Sequence, residues 1–355
     1  MRNTKSIWIR LIITLHIITS FYYGLYGSVQ IQIYPGSDLG RGEDSAFSPS
    51  LPSLSQLSQS NSDIECPFNT APIPDVIVHN ENSSRKIPRI IHFTSKTRCA
   101  TSEIILHVNN WRLKFPNYSI YFHDDEAVKR LTSHPISQRL FPLLNETLKC
   151  VTNGATLSDV WRYLILYLYG GIYSDIDNTP MKFSDDTIRD EDDFFSIIEG
   201  LGIMAQYFIA SSPSHPLMKL SLDAAIKRLR SLGNVMKNNA AKTTGPGAFK
   251  IGFMNFTNNT SNGYIVEGKF DGVGGRTVTV VGNKARSREY INRDGLPRPI
   301  KIKYYEAIGT EHFSRSKSLP NQGSISCMEH LRRTMGTQKI ASYTFDGHKY
   351  VDGES

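Results

Sequence analysis

The stretch Asn153–Asp177 constrains this chain more than any other. It reads NGATLSDVWRYLILYLYGGIYSDID: a helix, a double-glycine break and a short strand ending in two carboxylates. Leu157, Val160, Trp161, Leu164, Ile165 and Leu168 recur at the i, i+3, i+4, i+7 spacing of a helix with one buried face. Thr156 or Ser158 is placed to cap its start, and Gly170-Gly171 to end it with positive φ. Asp159 and Arg162, three apart, are neighbours on the other face. Beyond the glycines, an alternation of period two puts Tyr173, Asp175 and Asp177 on one side of a strand and Ile172 and Ile176 on the other. Three carboxylates, an arginine and a tyrosine therefore come from one short segment.

Two carboxylates one residue apart at a strand end suit a hard divalent cation. Mg²⁺ or Mn²⁺ takes few protein oxygens and keeps positions for water and phosphate. A cation so held neutralises a diphosphate leaving group. An Asp–Arg pair beside it offers hydrogen bonds to sugar hydroxyls. An isolated Asp-x-Asp is also a common solvated turn, and the helix alone reads equally as a core helix with an exposed ion pair. The order of the whole stretch is what discriminates.

Ser158-Asp-x-x-Arg-Tyr163, a spacer, then Gly170-Gly-Ile-Tyr-x-Asp-x-Asp177 resembles the sugar-binding DXD region of glycosyltransferase family 32. That group includes yeast-type initiating mannosyltransferases, inositol-phosphoceramide mannosyltransferases and α1,4-galactosyl- or N-acetylglucosaminyltransferases. The resemblance implies an α/β fold of the GT-A type, Rossmann-like and nucleotide-sugar-binding. It also implies a nucleotide-sugar donor (GDP-mannose or a UDP-hexose), a glycan or glycolipid acceptor, Mn²⁺ or Mg²⁺, and transfer with retention at the anomeric carbon. Carried over by position, the catalytic set is Asp159, Arg162, Asp175 and Asp177. Asp159 and Arg162 would hold the donor sugar, and Tyr173 would sit by its sugar or phosphate. Asp175 would reach ribose, sugar or metal through water, and Asp177 would bind the metal.

Three further segments resemble the family. Ile87–Lys96 is similar to its opening strand, whose end meets the nucleotide base. Phe93 and Ser95 stand where Gln and Trp are usual, which makes Phe93, Thr94 and Lys96 the candidate base contacts. Thr244-Gly245-Pro246 is similar to a turn whose backbone amides approach donor phosphate or acceptor, with Gly245 the binding residue. Members often place a His and then a Ser-Trp near the C-terminal end. His312 is the candidate third metal ligand beside Asp175 and Asp177, His348 is second to it, and no Ser-Trp follows either.

The remaining chain reads as a type II membrane protein. Arg2, Lys5 and Arg10 lie in a cytosolic tail, residues 1–10. Residues 11–33 carry no Asp, Glu, Lys or Arg and are long enough for a signal-anchor transmembrane helix, with a cleaved signal peptide as the rival. Residues 34–86 are Ser/Pro-rich and read as a disordered stem. Residues 87–355 form the expected luminal domain, in the Golgi or ER. Four cysteines without zinc spacing allow three pairings into two disulfides. Sequons at Asn82, Asn117, Asn145, Asn255, Asn258 and Asn259 fit a secretory glycoprotein. The net charge of +7 is spread out and, with no zinc-finger or basic-aromatic pattern, gives no reason to expect nucleic acid.

Further elements are legible. Pro116-Asn117 marks a turn before a strand at Ser119–His123, and Asp124-Asp125 cap a helix at Glu126–Thr132. Phe194–Glu199, Met204–Ala210, Thr277–Val281 and Ile300–Tyr305 read as strands, and Ser212–Leu232 as a helix with His215 structural. Lys284, Arg286, Arg288, Arg293, Arg298, Lys301 and Lys303 read as a solvated basic face or a diphosphate contact. Two rival functions stand beside the transferase: a non-catalytic protein that binds sugar nucleotide or glycan, and a phosphatase using Asp175-Ile-Asp-Asn-Thr179 with Asp175 as nucleophile. The second rival expects that motif to close an apolar strand at the start of its domain.

Overall fold

The computed structural model describes residues 50–58, 65–79, 84–151, 154–199, 202–231, 240–259, 264–282, 289–310, 342–345 and 350–353. The span at 11–33, His312 and His348 lie outside them. No helix among the described residues is long and apolar enough to cross a membrane.

Residues 44–338 form one compact unit. In chain order its helices are α1 (Leu54–Ser58), α2 (Ser102–Lys114), α3 (Asp125–Thr132), α4 (Pro135–Leu140), α5 (Leu144–Leu148), α6 (Gly154–Tyr169), α7 (Pro216–Ser231), α8 (Ala240–Thr243), α9 (Pro246–Phe256) and α10 (Arg298–Ala307). Its strands are β1 (Ala71–Pro72), β2 (Ile90–Thr94), β3 (Cys99–Ala100), β4 (Ser119–His123), β5 (Gly171–Ser174), β6 (Thr179–Pro180), β7 (Phe194–Glu199), β8 (Ile203–Ser211), β9 (Gly268–Asp271), β10 (Thr277–Gly282) and β11 (Ile291–Asn292). In the other unit, β12 (Ser342–Phe345) and β13 (Tyr350–Gly353) pair as an antiparallel hairpin.

The fold is mixed α/β. A seven-stranded sheet runs in the order β4-β2-β5-β8-β7-β10-β9. Strands β4, β2 and β5 are mutually parallel, as are β7 and β10, and β8 and β9 run antiparallel to their neighbours. The parallel trio is buried on both faces and correspondingly apolar, as IIHF and SIYFH show. Trp111 of α2 is buried against Phe93 and Phe115, and its indole N–H donates to the Asn178 carbonyl at 2.8 Å. The core thus reaches directly to the turn that follows β5.

The Gly170-Gly171 break behaves as its sequence requires. Both residues have positive φ, +66° and +93°. A Cβ on Gly170 would lie 2.6 Å from Pro213 Cδ, and one on Gly171 would lie 2.8 Å from the Ile90 carbonyl oxygen. The chain can turn from α6 into β5 this tightly only without side chains.

Three expectations change. The strand expected at Ile300–Tyr305 is part of helix α10. Pro299 sits in its first turn, and packing of Ile300, Lys301 and Tyr304 overrides the apparent alternation. Thr156 and Ser158 lie inside the first turns of α6, which starts at Gly154, so neither precedes it as a cap. Part of the stretch expected as disordered stem is folded. Leu57 and Ile73 are buried, β1 pairs with β3, Val76 bridges Ile120, and Cys66 is bonded to Cys99. Cys150 is disulfide-bonded as well.

Burial also holds several imidazoles neutral. His92 Nδ1 lies 3.0 Å from His123 Nε2, and His92 Nε2 lies 3.0 Å from the Gly170 carbonyl. His215 is structural as expected: its Nδ1 accepts the Leu217 N–H at 3.2 Å, between the rings of Phe194 and Phe256. Burial pushes His92 and His215 down to about 4, and His123 well below its usual value. A histidine with a lower pKa folded than unfolded stabilises the fold fully only above the unfolded value near 6.5, and that contribution is lost as pH falls toward 4. For His92 alone this amounts to about 3 kcal/mol across the window. Urea unfolding should therefore show stability dropping between pH 6.5 and 4, with a shallower slope in His92→Asn. A slope unchanged by that substitution would contradict the burial of a neutral His92.

Candidate active site

A cavity of about 820 Å³ opens beyond the C-terminal ends of β4, β2 and β5. Open α/β sheets characteristically bind ligands there, because the chain leaves the sheet and its loops diverge. Each parallel strand contributes. Thr94 ends β2 and Ser95 and Lys96 follow it, Asp125 follows β4, and Asp175, Ile176 and Asp177 follow β5. Helix α6 adds Leu157, Ser158 and Arg162, and α10 adds Tyr305 and Glu306.

Arg162 is the centre of this wall. It is 4 % exposed, with Nη2 3.1 Å from Asp159 Oδ1 and 3.4 Å from Asp175 Oδ1. Its Nη1 donates to the Gln206 carbonyl at 2.8 Å, and its guanidinium lies 4.6 Å from the centre of the Tyr173 ring. Burial disfavours its charge, yet Tyr173, Asp175 and Asp159 together raise its pKa above the usual value. It is a fixed cation facing the cavity.

Asp159 does not face that cavity. It is 3 % exposed; Gln206 Nε2 donates to one oxygen at 2.7 Å and Thr244 Oγ1 to the other at 2.8 Å. Together with Arg162, these contacts occupy both oxygens from within the protein. Burial raises the Asp159 pKa against the lowering pull of Arg162. Asp159 therefore positions Arg162, and of the pair expected to hold the donor sugar only Arg162 lines the cavity.

Asp175 and Asp177 do reach the cavity, by a different route from the alternation read in the sequence. Strand β5 stops at Ser174, and residues 175–178 form a turn closed by the Asn178 N–H donating to the Asp175 carbonyl at 3.1 Å. Asn178 is buried and pins the turn, donating to Ser174 Oγ at 2.9 Å and to the Tyr207 carbonyl at 2.8 Å. The Tyr173 hydroxyl donates to Asp175 Oδ1 at 3.0 Å. Burial at the cavity floor raises Asp175 to about 6, with Arg162 opposing. Asp177 Oδ2 accepts from Lys301 Nζ at 2.6 Å.

The carboxylate pair fits a divalent cation of limited appetite. Tyr173 and Arg162 hold Asp175 by Oδ1, and Lys301 holds Asp177 by Oδ2, while both side chains remain partly exposed at 34 % and 20 %. Among the described residues no group of three His, Cys, Asp or Glu side chains converges as a metal cage. Such a pair suits Mg²⁺ or Mn²⁺ that keeps waters and phosphate oxygens.

Two expected contacts fall elsewhere. Phe93 is fully buried against Trp111 in the core, because strand alternation turns it away from the neighbouring Thr94, which does line the cavity. Gly245 is buried at the start of α9, where its carbonyl accepts from Tyr163 at 3.2 Å, and a Cβ would meet Ala241 Cα at 2.9 Å. The turn supports Asp159 through Thr244 and is not part of the cavity lining. Sequence reading missed Asp125 and Tyr305, and it placed Lys301 in a basic cluster, as a solvated face or a diphosphate contact, without its tie to Asp177. Asp125 looked like a helix-capping residue, yet Asp124 supplies the cap and Asp125 lines the cavity, its carboxyl raised to about 6 by burial.

Comparison with known proteins finds a match over the stretch that supplies much of this cavity's lining. Residues 101–195 match the family model for the glycosyltransferase sugar-binding region containing the DXD motif. The Initiation-specific alpha-1,6-mannosyltransferase of Schizosaccharomyces pombe is 29% identical over 196 residues, covering 48% of this chain and 49% of the relative. The chain thus spans about half the length of the curated relative it matches. The solved PaToxG Glycosyltransferase is 19% identical, with a TM-score of 0.35, over 47% of this chain and 69% of its own.

The packing around Arg162 makes a stability prediction. Arg162→Met leaves Asp159 buried without its cation, and should lower unfolding stability by about 3–5 kcal/mol. Adding Asp159→Asn should recover part of that loss, since the two groups act as one unit. Urea unfolding of both single variants and the double variant measures the coupling, and strictly additive losses would refute it.

Proposed function

We propose that this protein is a metal-dependent retaining glycosyltransferase of GT-A type that moves a hexose from a nucleotide sugar to a glycan or glycolipid. One observation carries the reading. The match to a DXD sugar-binding region coincides with a cavity at the ends of three parallel strands, where Asp175, Asp177, Arg162 and Tyr173 are brought together.

In this reading Asp175 and Asp177 hold Mn²⁺ or Mg²⁺, which supplies charge neutralisation to the departing diphosphate. Arg162 donates to donor-sugar hydroxyls from a guanidinium locked by Asp159, the Gln206 carbonyl and Asp175. Tyr173 keeps Asp175 oriented through its hydroxyl. A donor fixed in this way leaves the open side of the cavity for an acceptor hydroxyl, which attacks from the leaving-group face.

The relative's name favours mannose as the sugar, and the cavity wall favours guanine as the base. Strand order puts Asp125 two strands from the DXD turn, roughly 10 Å away. A carboxylate accepts two adjacent N–H groups from a guanine edge, whereas uracil presents one N–H flanked by two carbonyls. GDP-mannose is therefore the donor we favour, with UDP-hexoses as alternatives. A Golgi or ER lumen fits the disulfide-bonded Cys66 and Cys99 and the exposed sequons at Asn117, Asn255 and Asn258. The charge-poor stretch at 11–33 supports a type II anchor ahead of it.

The test is nucleotide release from a panel of GDP- and UDP-sugars, with Mn²⁺ or with chelator. Release from one donor, lost on chelation, is expected. Asp177→Ala should reduce it on the order of 10²-fold or more without unfolding the protein. Full activity in Asp177→Ala would refute the site, and binding of a sugar nucleotide without turnover on any acceptor would favour a non-catalytic binding protein.

A further inference from the structure

Lys301 stands in an unusual position for a side chain outside the DXD stretch. Its Nζ lies 2.6 Å from Asp177 Oδ2, 3.1 Å from the Arg293 carbonyl oxygen and 4.0 Å from Asp294 Oδ1. The lysine side chain is 9 % exposed, so the ammonium is withdrawn from bulk water. Holding a desolvated cation there is expensive unless the carboxylate partner compensates. The helix gives Lys301 its place. Pro299 sits in the first turn of α10, and Lys301 and Tyr305, four apart, share the face turned toward the cavity that Tyr305 and Glu306 line.

The consequence concerns the order in which ligands arrive. A divalent cation and an ammonium repel each other strongly at contact distance in a partly buried site. A cation using Asp177 Oδ2 must displace Lys301, and one using the other oxygen must tolerate it nearby. Asp175 is in turn partly neutralised by Arg162. The protein without nucleotide therefore presents a carboxylate pair whose charge is largely cancelled by its own side chains. A nucleotide diphosphate changes that balance, because it brings negative charge for both the metal and a displaced ammonium with three donors.

We propose that Lys301 guards the DXD carboxylate. It neutralises Asp177 until a nucleotide diphosphate arrives, so that the divalent cation is taken up with the nucleotide, and it then donates to the diphosphate oxygens. This inference rests on the glycosyltransferase reading and adds to it a positioning residue for the leaving group. It also gives α10 a part in the site.

Calorimetric titration of the full chain tests it, with Mn²⁺ alone and with GDP or UDP in the presence of Mn²⁺. Wild type should bind Mn²⁺ alone weakly. Lys301→Met should bind Mn²⁺ alone at least tenfold more tightly, and should bind the preferred nucleotide with Mn²⁺ at least tenfold more weakly. Lys301→Arg, which keeps the charge, should stay close to wild type in both titrations. Asp177→Asn should abolish the gain in Mn²⁺ affinity when combined with Lys301→Met. Circular dichroism checks folding, and if Lys301→Met does not fold, Lys301→Gln carries the same comparison. Unchanged or weaker Mn²⁺ affinity in the folded neutral variant would overturn the proposal. Failure of wild type to bind either nucleotide with Mn²⁺ would instead count against the glycosyltransferase reading. The comparison of Mn²⁺ binding with and without Lys301 would still decide whether the two cations compete.

Discussion

The buried guanidinium of Arg162 ties the site to the fold. It touches α6 through Ser158 and Asp159, β8 through the Gln206 carbonyl, β5 through the Tyr173 ring, and the DXD turn through Asp175. A guanidinium is suited to this because its donors form a rigid fork and it keeps its charge when withdrawn from water. Asp159 is the compensating anion, and it is held by Thr244 from the turn before α9 and by Gln206 from β8. Helix, sheet and the α8–α9 connection thus converge on one cation, and only one side of that cation is left for a ligand.

The second constraint is the turn at residues 175–178. Its carboxylates are useful only if the backbone beneath them does not move. Asn178 provides this from inside the core. Its amide spans Ser174 and Tyr207, and its carbonyl accepts from both Trp111 and His107. The Asp175 N–H is fixed to the Tyr207 carbonyl at 2.9 Å. Rigid support of this kind lowers the reorganisation needed when charge develops on a leaving group. At the other end of β5, the two glycines allow α6 to approach the strand closely enough for Arg162 and Asp175 to meet.

Much of this was legible in sequence because local and global signals agree. The α6 periodicity, the glycine pair and the Ser119–His123 strand are set by side-chain pattern and backbone freedom, which depend little on distant residues. The cavity-facing identity of Arg162, Tyr173, Asp175 and Asp177 followed from their convergence near a strand end. Asp159 was harder. A helix surface reading places it beside Arg162 but cannot say which of the pair faces solvent, ligand or core. That depends on Gln206 and Thr244, which lie 47 and 85 residues away. Phe93 and Gly245 were assigned by resemblance, and in both cases it is the neighbouring residue that belongs to the site: Thr94 lines the cavity, and Thr244 bonds Asp159 behind it.

Helix α10 shows why the C-terminal part was hardest to read. Its RPIKIKYYEA segment alternates apolar and basic residues like a half-buried strand, and only the proline in its first turn argues otherwise. In the helical form Lys301 and Tyr305 share a face; as a strand the same two positions would also share one, but Lys303 would join them. The helix sends Lys303 outward to Glu103 and leaves Lys301 as the lysine of this segment that meets Asp177. The difference between a diffuse basic face and a single ammonium on the DXD carboxylate is therefore a difference of backbone period. That period is decided by Tyr304, which packs into the core and bonds Ser95 through its hydroxyl. Electrostatics at the site depends in this way on an aromatic contact that carries no charge of its own.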